Sequence, residues 1–308
     1  MNRSTNVLLK FSQLFVLTVL TSLSVQAYEY SDQQSFSGAD QIKISSISGD
    51  VKIVSSNTGE IEVSVKSTYD EDKVELIMEL DGNVLKLKEK STGYGSYSGQ
   101  ALWTVALPEG LNPKVSFNTA SGDFSADDVT ASLKINTASG DIKLTNFTGD
   151  AVGNTASGDI RLNKVNGKMV MNTASGDVKA KQSEGSFKLN TASGDVSASD
   201  IAMTGSSKFN TASGDVDVKL TQSPSHNIKM SSASGDVELD MQGNALDANI
   251  SMKTRLTRSN NIHAPFDFDN ENVTSQRGKK YIEKTATVGS GAVDIKLFTS
   301  SGDVTIKD

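Results

Sequence analysis

The hexapeptide Asn-Thr-Ala-Ser-Gly-Asp constrains this chain more than any other feature. It begins at Asn118, Asn136, Asn154, Asn172, Asn190 and Asn210, at spacings of 18, 18, 18, 18 and 20 residues. A degenerate copy, Ser231-Ser232-Ala233-Ser234-Gly235-Asp236, follows 21 residues later, and Ser-Gly-Asp corners at Ser48 and Ser301 bracket the array. Chance does not place one six-residue string at a fixed interval. The chain is therefore an array of structural repeats, each burying its apolar face against its neighbours.

The residues between corners fix the geometry. An apolar residue follows each Asp: Phe124, Ile142, Ile160, Val178, Val196, Val216 and Val237. Two positions on stands another apolar or small residue, from Ala126, Leu144 and Leu162 to Leu239. A period of two means a strand with one buried face. Most coils then turn at a glycine, such as Gly149, Gly167 or Gly185, before a second alternating strand such as Phe187-Lys188-Leu189. Continuing that alternation puts the motif Thr inside, whereas counting back from Val178 puts Ala174 inside, so the chain is expected to bend near the Asn-Thr pair. Strand, turn, strand and bend within 18 residues predict an all-β fold: a single-stranded, β-helix-like solenoid.

Stacking rungs about 4.8 Å apart turns like residues into ladders. The Asn column suits this, since amide side chains hydrogen-bond to those above and below. The corner glycines Gly122, Gly140, Gly158, Gly176, Gly194 and Gly214 are expected to supply a positive φ, and each corner Asp to cap its turn. Two aspartates about 4.8 Å apart in water repel by only about 0.9 kcal/mol before screening. Lys143, Arg161 and Lys179, two residues after their Asp, offset that repulsion, so the ladder needs no metal.

Residues 1–27 read as a secretory signal cleaved after Ala27: Arg3 and Lys10 are basic, Leu14 to Val25 carries no charge, and small residues follow. The apolar run is too short and too interrupted for a transmembrane helix, and no later segment is long and apolar enough. Loss of the two basic residues takes the formal charge from −7 to −9, which argues against nucleic acid as partner. With no cysteine, disulfides, thiol catalysis and cysteine zinc sites are excluded. The expected location is periplasmic, secreted or at the cell surface. Residues 28–117 read as a β-rich module capping the first rung and hiding its edge. Residues 118–239 form the regular solenoid, and 240–308 irregular rungs and a cap.

The signal-like start, Ser48-Gly49-Asp50-Val51, the strand ending Ala106-Leu107-Pro108, the recurring corners and the closing Phe298-Thr299-Ser300-Ser301-Gly302-Asp303-Val304 together resemble a bacterial domain-of-unknown-function family labelled "putative adhesin". The resemblance spans nearly all of residues 28–308. It implies a β-strand repeat fold and an adhesin-like role, and it brings no catalytic residues.

Three constellations are candidates for chemistry. The ladder Asp123, Asp141, Asp159, Asp177, Asp195, Asp215 and Asp236 is read as turn caps, with calcium as the alternative because its carboxylates and corner carbonyls are oxygen ligands. His263, Asp267, Asp269 and Glu271 form an acidic patch in a loop running from His263 to Asn272. It is read as a solvated loop, with a polysaccharide-cleaving site as the alternative. Tyr94, Tyr97 and Trp103 offer a sugar platform, against a hairpin with one buried Trp. The sequence thus points to a non-enzymatic envelope protein that binds or scaffolds an envelope or surface component, protein or polysaccharide, through its repeated face. The alternative is a polysaccharide-acting β-helix enzyme. No cofactor is implied.

Overall fold

Each repeat folds as one rung of a stack. In a computed structural model describing residues 30–93, 98–257 and 261–308, 26 strands and no helix are present among those residues. Residues 1–27, expected above to be a secretory signal, lie outside them, as do Tyr94 and Tyr97. A regular rung runs up one strand (Ser132–Asn136), through the corner, along a second strand (Ile142–Thr145), then over a short third side before the next rung begins at Ala151–Asn154. Successive rungs pair in parallel and in register, as Leu133 to Asn136 do with Ala151 to Asn154 and Ile142 to Thr145 with Ile160 to Asn163.

The period of two is realised as expected. Leu133, Ile135, Ile142 and Leu144 point inward and are buried, as are their counterparts above and below, so one apolar core runs from Ile42 to Ile306. Phe147 and Val165 close the third side. At that side's two bends the backbone is left-handed. One bend holds non-glycine residues in a column, Asp128, Asn146, Lys164, Gln182 and Asp200, with φ of 48–58°. The other holds the turn glycines Gly149, Gly167 and Gly185 at φ of 127–151°.

The corner departs from the sequence reading in three ways. First, the motif Thr is the inward residue and Ala is exposed, so the strand alternation continues through Asn-Thr and the chain bends at Ala-Ser. A buried Thr is tolerable because its hydroxyl is fully used. Thr155 Oγ1 accepts from the Gly158 N–H at 3.0 Å and donates to the Gly140 carbonyl of the preceding rung at 3.0 Å. Second, Gly122, Gly140, Gly158, Gly176, Gly194 and Gly214 do not have positive φ. They are glycine because a Cβ on Gly158 would sit 1.9 Å from the Gly140 carbonyl oxygen, and the same holds within 1.9–2.2 Å along the column. Third, each corner Asp accepts not from its own turn but from the backbone N–H of the next rung's Asp, at 2.8–3.0 Å.

The stack is not in chain order at its ends. The first rung in sequence, Gln41–Ser45 and Asp50–Ser56, lies between the rung of Val84–Ser91 and Ala101–Pro108 and the rung of Lys114–Asn118 and Phe124–Asp127. The last rung in sequence, Val293–Thr299 and Val304–Lys307, lies between Ile228–Ser232 with Val237–Asp240 and Ala248–Arg255 with Ile262–His263. Antiparallel strands then cover both ends: Tyr30–Phe36, Ile61–Ser67 and Val74–Asp81 on one, Lys279–Val288 and Asn270–Gln276 on the other. These provide the different edge pairing that blunts a growing stack.

Candidate functional site

The outward positions of the rungs form straight columns, and the columns are where chemistry accumulates. The Asn column is a continuous amide ladder: Asn136, Asn154, Asn172, Asn190 and Asn210 each donate Nδ2 to the Oδ1 of the preceding Asn (the first to Asn118) at 2.6–3.0 Å. The Asp column is longer than the sequence reading made it. Asp50 accepts from the Asp123 N–H and Asp303 from the Asn261 N–H, both at 2.8 Å, so the ladder runs from the first corner to the last.

Each carboxylate in this ladder has one oxygen committed to an amide, and basic neighbours meet several of the others. Arg161 bridges Asp141 at 2.9 Å and Asp159 at 2.7 Å, and Lys179 pairs with Asp177 at 2.9 Å. Among the described residues Lys143 takes part in no ion pair. The Asp195 N–H and then Lys179 hold the Asp177 carboxyl below the usual range. Its contribution to stability is therefore present above the ordinary carboxylate pKa and is lost as pH falls through the lowered value. Among the described residues, no three His, Cys, Asp or Glu side chains gather as a metal cluster. Asp159→Asn keeps the inter-rung acceptor and loses only an exposed ion pair, so it should change stability by less than about 1 kcal/mol. Chemical denaturation with and without calcium checks this; a large loss restored by calcium is the contrary result.

Asp217 is the exception on this face. It stands in register with Ser197 and Glu238, its Oδ1 is buried without a hydrogen-bond partner, and burial first, then Glu238 and Asp240, push its carboxyl up. A raised folded pKa favours the folded state at low pH and loses that advantage as pH rises. Asp217→Ser, the residue one rung below, should therefore raise the melting temperature at pH 7. The difference should narrow as pH is lowered through the raised pKa of Asp217, which thermal scans across pH will show.

On the other broad face, a column two residues before each corner Asn, or before the residue in register with it (Lys88, Ser45, Ser231 and Phe298), reads Lys86, Lys43, Ser116, Lys134, Val152, Val170, Lys188, Lys208, Lys229 and Lys296, in register throughout. These ten positions hold no carboxylate, in a chain with 37 acidic against 30 basic residues, and Glu79 of the covering strand stands opposite Lys86 at one end. Lys86 meets Asp81 at 2.6 Å and Lys296 meets Asp294 at 3.9 Å, while among the described residues Lys43, Lys134, Lys188, Lys208 and Lys229 have no ion pair. Four successive ammonium groups at about 4.8 Å per rung repel by about 0.9 kcal/mol per adjacent pair in water before salt screening. Sequence reasoning missed this column because its lysines do not share one spacing; the signal was their common offset from the corner.

The other candidates become structural. His263 lies in the strand Ile262–His263 and pairs with Thr305, and Asn272 lies in the strand Asn270–Gln276, so only the middle of the expected loop is a loop. Asp269 accepts the Thr287 N–H at 2.8 Å and Glu271 pairs with Lys284 at 3.3 Å. Asp269 also lines an open recess of ≈ 240 Å³ with Asn249, Ser251, Thr285, Asp294 and Lys296. Trp103 is fully buried, so it is no sugar platform. Its Nε1 donates to Glu89 at 2.9 Å, and that carboxyl also accepts the Ile47 and Ser48 N–H groups and the Tyr69 hydroxyl. In regular rungs the equivalent amides bond the Ala carbonyl of the preceding corner, as Ala138 and Ser139 do to Ala120. Glu89 thus replaces a missing corner at the end of the column. Burial pushes the Tyr69 phenol up to about 12.

The family model described as Toastrack DUF4097 matches residues 39–264. This chain belongs to the Toastrack family. Toastrack rungs supply the repeat fold described above, and the match runs from the inserted first rung to the outermost C-terminal one. No curated protein matches the sequence. Solved structures similar to this Toastrack chain include a "putative lipid binding protein" from Parabacteroides distasonis, at 15% identity and TM-score 0.49, covering 90% of this chain and 96% of that one. A "putative adhesin" from the same organism has 12% identity and TM-score 0.44, covering 90% and 96%. A "putative adhesin" from Bacteroides fragilis has 13% and 0.42, covering 90% and 97%. At these identities and scores they carry nothing about ligands to this chain. No helix among the described residues is long and apolar enough to cross a membrane.

Proposed function

We propose that this Toastrack chain is an exported, non-enzymatic cell-envelope protein that binds an extended partner along a long face of its solenoid. The observation that carries the reading is the register: outward side chains repeat up the stack in straight columns of one chemistry, a geometry that meets a long partner with many small, similar contacts. The basic, apolar and small-residue order of residues 1–27 supports export and cleavage after Ala27. That places the mature protein in the periplasm or at the surface, where adhesin-like binding or scaffolding operates. The role assigns no catalytic, cofactor or metal residue.

One observation favours a second reading, an enzyme acting on envelope polysaccharide. Asp269, Asp294 and Lys296 line one recess at the C-terminal end, which brings acids and a base together. The test is co-sedimentation of the protein beginning at residue 28 with envelope fractions, alongside an assay for newly released reducing sugars. Binding without sugar release is the expected result. Sugar release abolished by Asp269→Asn supports the enzyme instead, and failure to sediment with any fraction contradicts the binding role.

A further inference from the structure

Resting on the binding role above, we propose that the lysine column ending in Lys188, Lys208, Lys229 and Lys296 is the docking surface for a linear, carboxylate-bearing polysaccharide. These four lysines occupy consecutive rungs in exact register. Each alternates with inward neighbours, so all four side chains face solvent from one sheet. Among the described residues Lys188, Lys208 and Lys229 form no ion pair, so a bound polyanion supplies the partner that the fold leaves out. A step of about 4.8 Å per rung is close to the length of one sugar unit in an extended chain.

The adjoining column fits the same occupant. Beside the lysines stand Asn190, Asn210 and Ser231, joined by bonds of 2.6 and 2.7 Å. Each amide nitrogen carries a second N–H beyond its ladder bond, suited to a sugar hydroxyl or carboxylate. A single-stranded nucleic acid is the other common linear polyanion, but its grooves stack successive bases on aromatic platforms; beside Lys188, Lys208 and Lys229 stand Asn190, Asn210 and Ser231, and an aromatic, Phe298, takes that place at the last of the four rungs alone. On the opposite face Arg161 and Lys179 are already paired with the Asp ladder, and Lys52 and Lys143 each stand two residues after a ladder carboxylate, Asp50 and Asp141. The column itself tolerates serine at Ser116, so removing lysines need not disturb the stack.

The experiment measures binding of a fluorescent polygalacturonate oligomer by anisotropy, at low and physiological salt. Neutral dextran and a single-stranded DNA oligomer of similar length are the comparison probes. One variant carries Lys188→Ser, Lys208→Ser and Lys229→Ser. A charge-matched variant carries Lys52→Ser, Lys143→Ser and Lys179→Ser on the opposite face, and circular dichroism establishes that both are folded. The proposal expects polygalacturonate binding that weakens with salt, falls at least tenfold in the first variant and less than threefold in the second. Equal losses in the two variants, no polygalacturonate binding, or tighter lysine-dependent binding of DNA each overturn it. If the first variant still co-sediments with envelope fractions as the parent does, the lysine column is wrong while the binding role stands. If the parent itself does not sediment, the binding role falls.

Discussion

Gly158→Ala should cost at least about 3 kcal/mol, and Gly153→Ala, in the same rung, about 1 kcal/mol. Neither glycine has a positive φ, so conformational strain does not separate them. What separates them is the atom that a new Cβ meets. At Gly158 it is the Gly140 carbonyl oxygen at 1.9 Å, held by the backbone of the rung below. At Gly153 it is the Met171 sulfur at 2.7 Å, the far end of a flexible side chain that already fills the space above the glycine. Because the clash begins at the first carbon, Gly158→Asn should be as harmful as Gly158→Ala. A left-handed position would instead tolerate Asn. Denaturant midpoints for the three variants decide between the two explanations.

Glu89→Gln is the second large effect, at about 1–3 kcal/mol, with Glu89→Ala larger still. The Glu89 oxygens accept from Ile47, Ser48, Tyr69 and Trp103, and the residue is only 5% exposed. A carboxamide replaces one acceptor with a donor. In either orientation it sets an NH₂ group against at least one buried N–H and leaves that group without a partner. Trp103 is the single tryptophan and touches Glu89 directly, so its fluorescence reports this corner. The expected result is a red-shifted, less cooperative transition at a lower midpoint than in the parent; an unchanged midpoint contradicts the corner-replacement role of Glu89.

The rung was legible because its apolar residues repeat with period two and its corner repeats at fixed spacing, signals that depend only on local geometry. The Asn ladder was legible for the same reason. The corner's internal arrangement was not: a buried Thr looks like an error until Thr155 is seen to bond both Gly158 and Gly140. A glycine recurring at every corner suggests φ, yet at Gly158 the constraint comes from the rung below. The exchanged order at the two ends was hidden because strand partners separated by 42 or more residues leave no periodicity, as between Gln41–Ser45 and Val84–Ser91. Glu89 was illegible too: it is in phase with the inward Leu85 and Leu87, but a carboxylate at that position reads as the end of the strand rather than as a buried acceptor. Of the candidate surface, the Asp column was visible and the lysine column was not, because insertions between Asn190 and Phe298 break its spacing while preserving its register.

If the rungs are equivalent stacked units, a protein lacking residues 154–171 should fold into the same solenoid one rung shorter. The cut joins Gly153 to Asn172 and sets Asn172 over Asn136, so every strand, bend and ladder finds its partner one rung away. Gly153 then lies beneath Leu189, which lacks the reach of Met171, and a modest loss of stability is expected from that void. The lysines at 188, 208, 229 and 296 remain consecutive. The measurement is far-ultraviolet circular dichroism with thermal unfolding of the excised and full-length proteins. The predicted result is an unchanged β spectrum and a single cooperative transition at a modestly lower temperature; loss of the β spectrum, or a transition that is no longer cooperative, contradicts it.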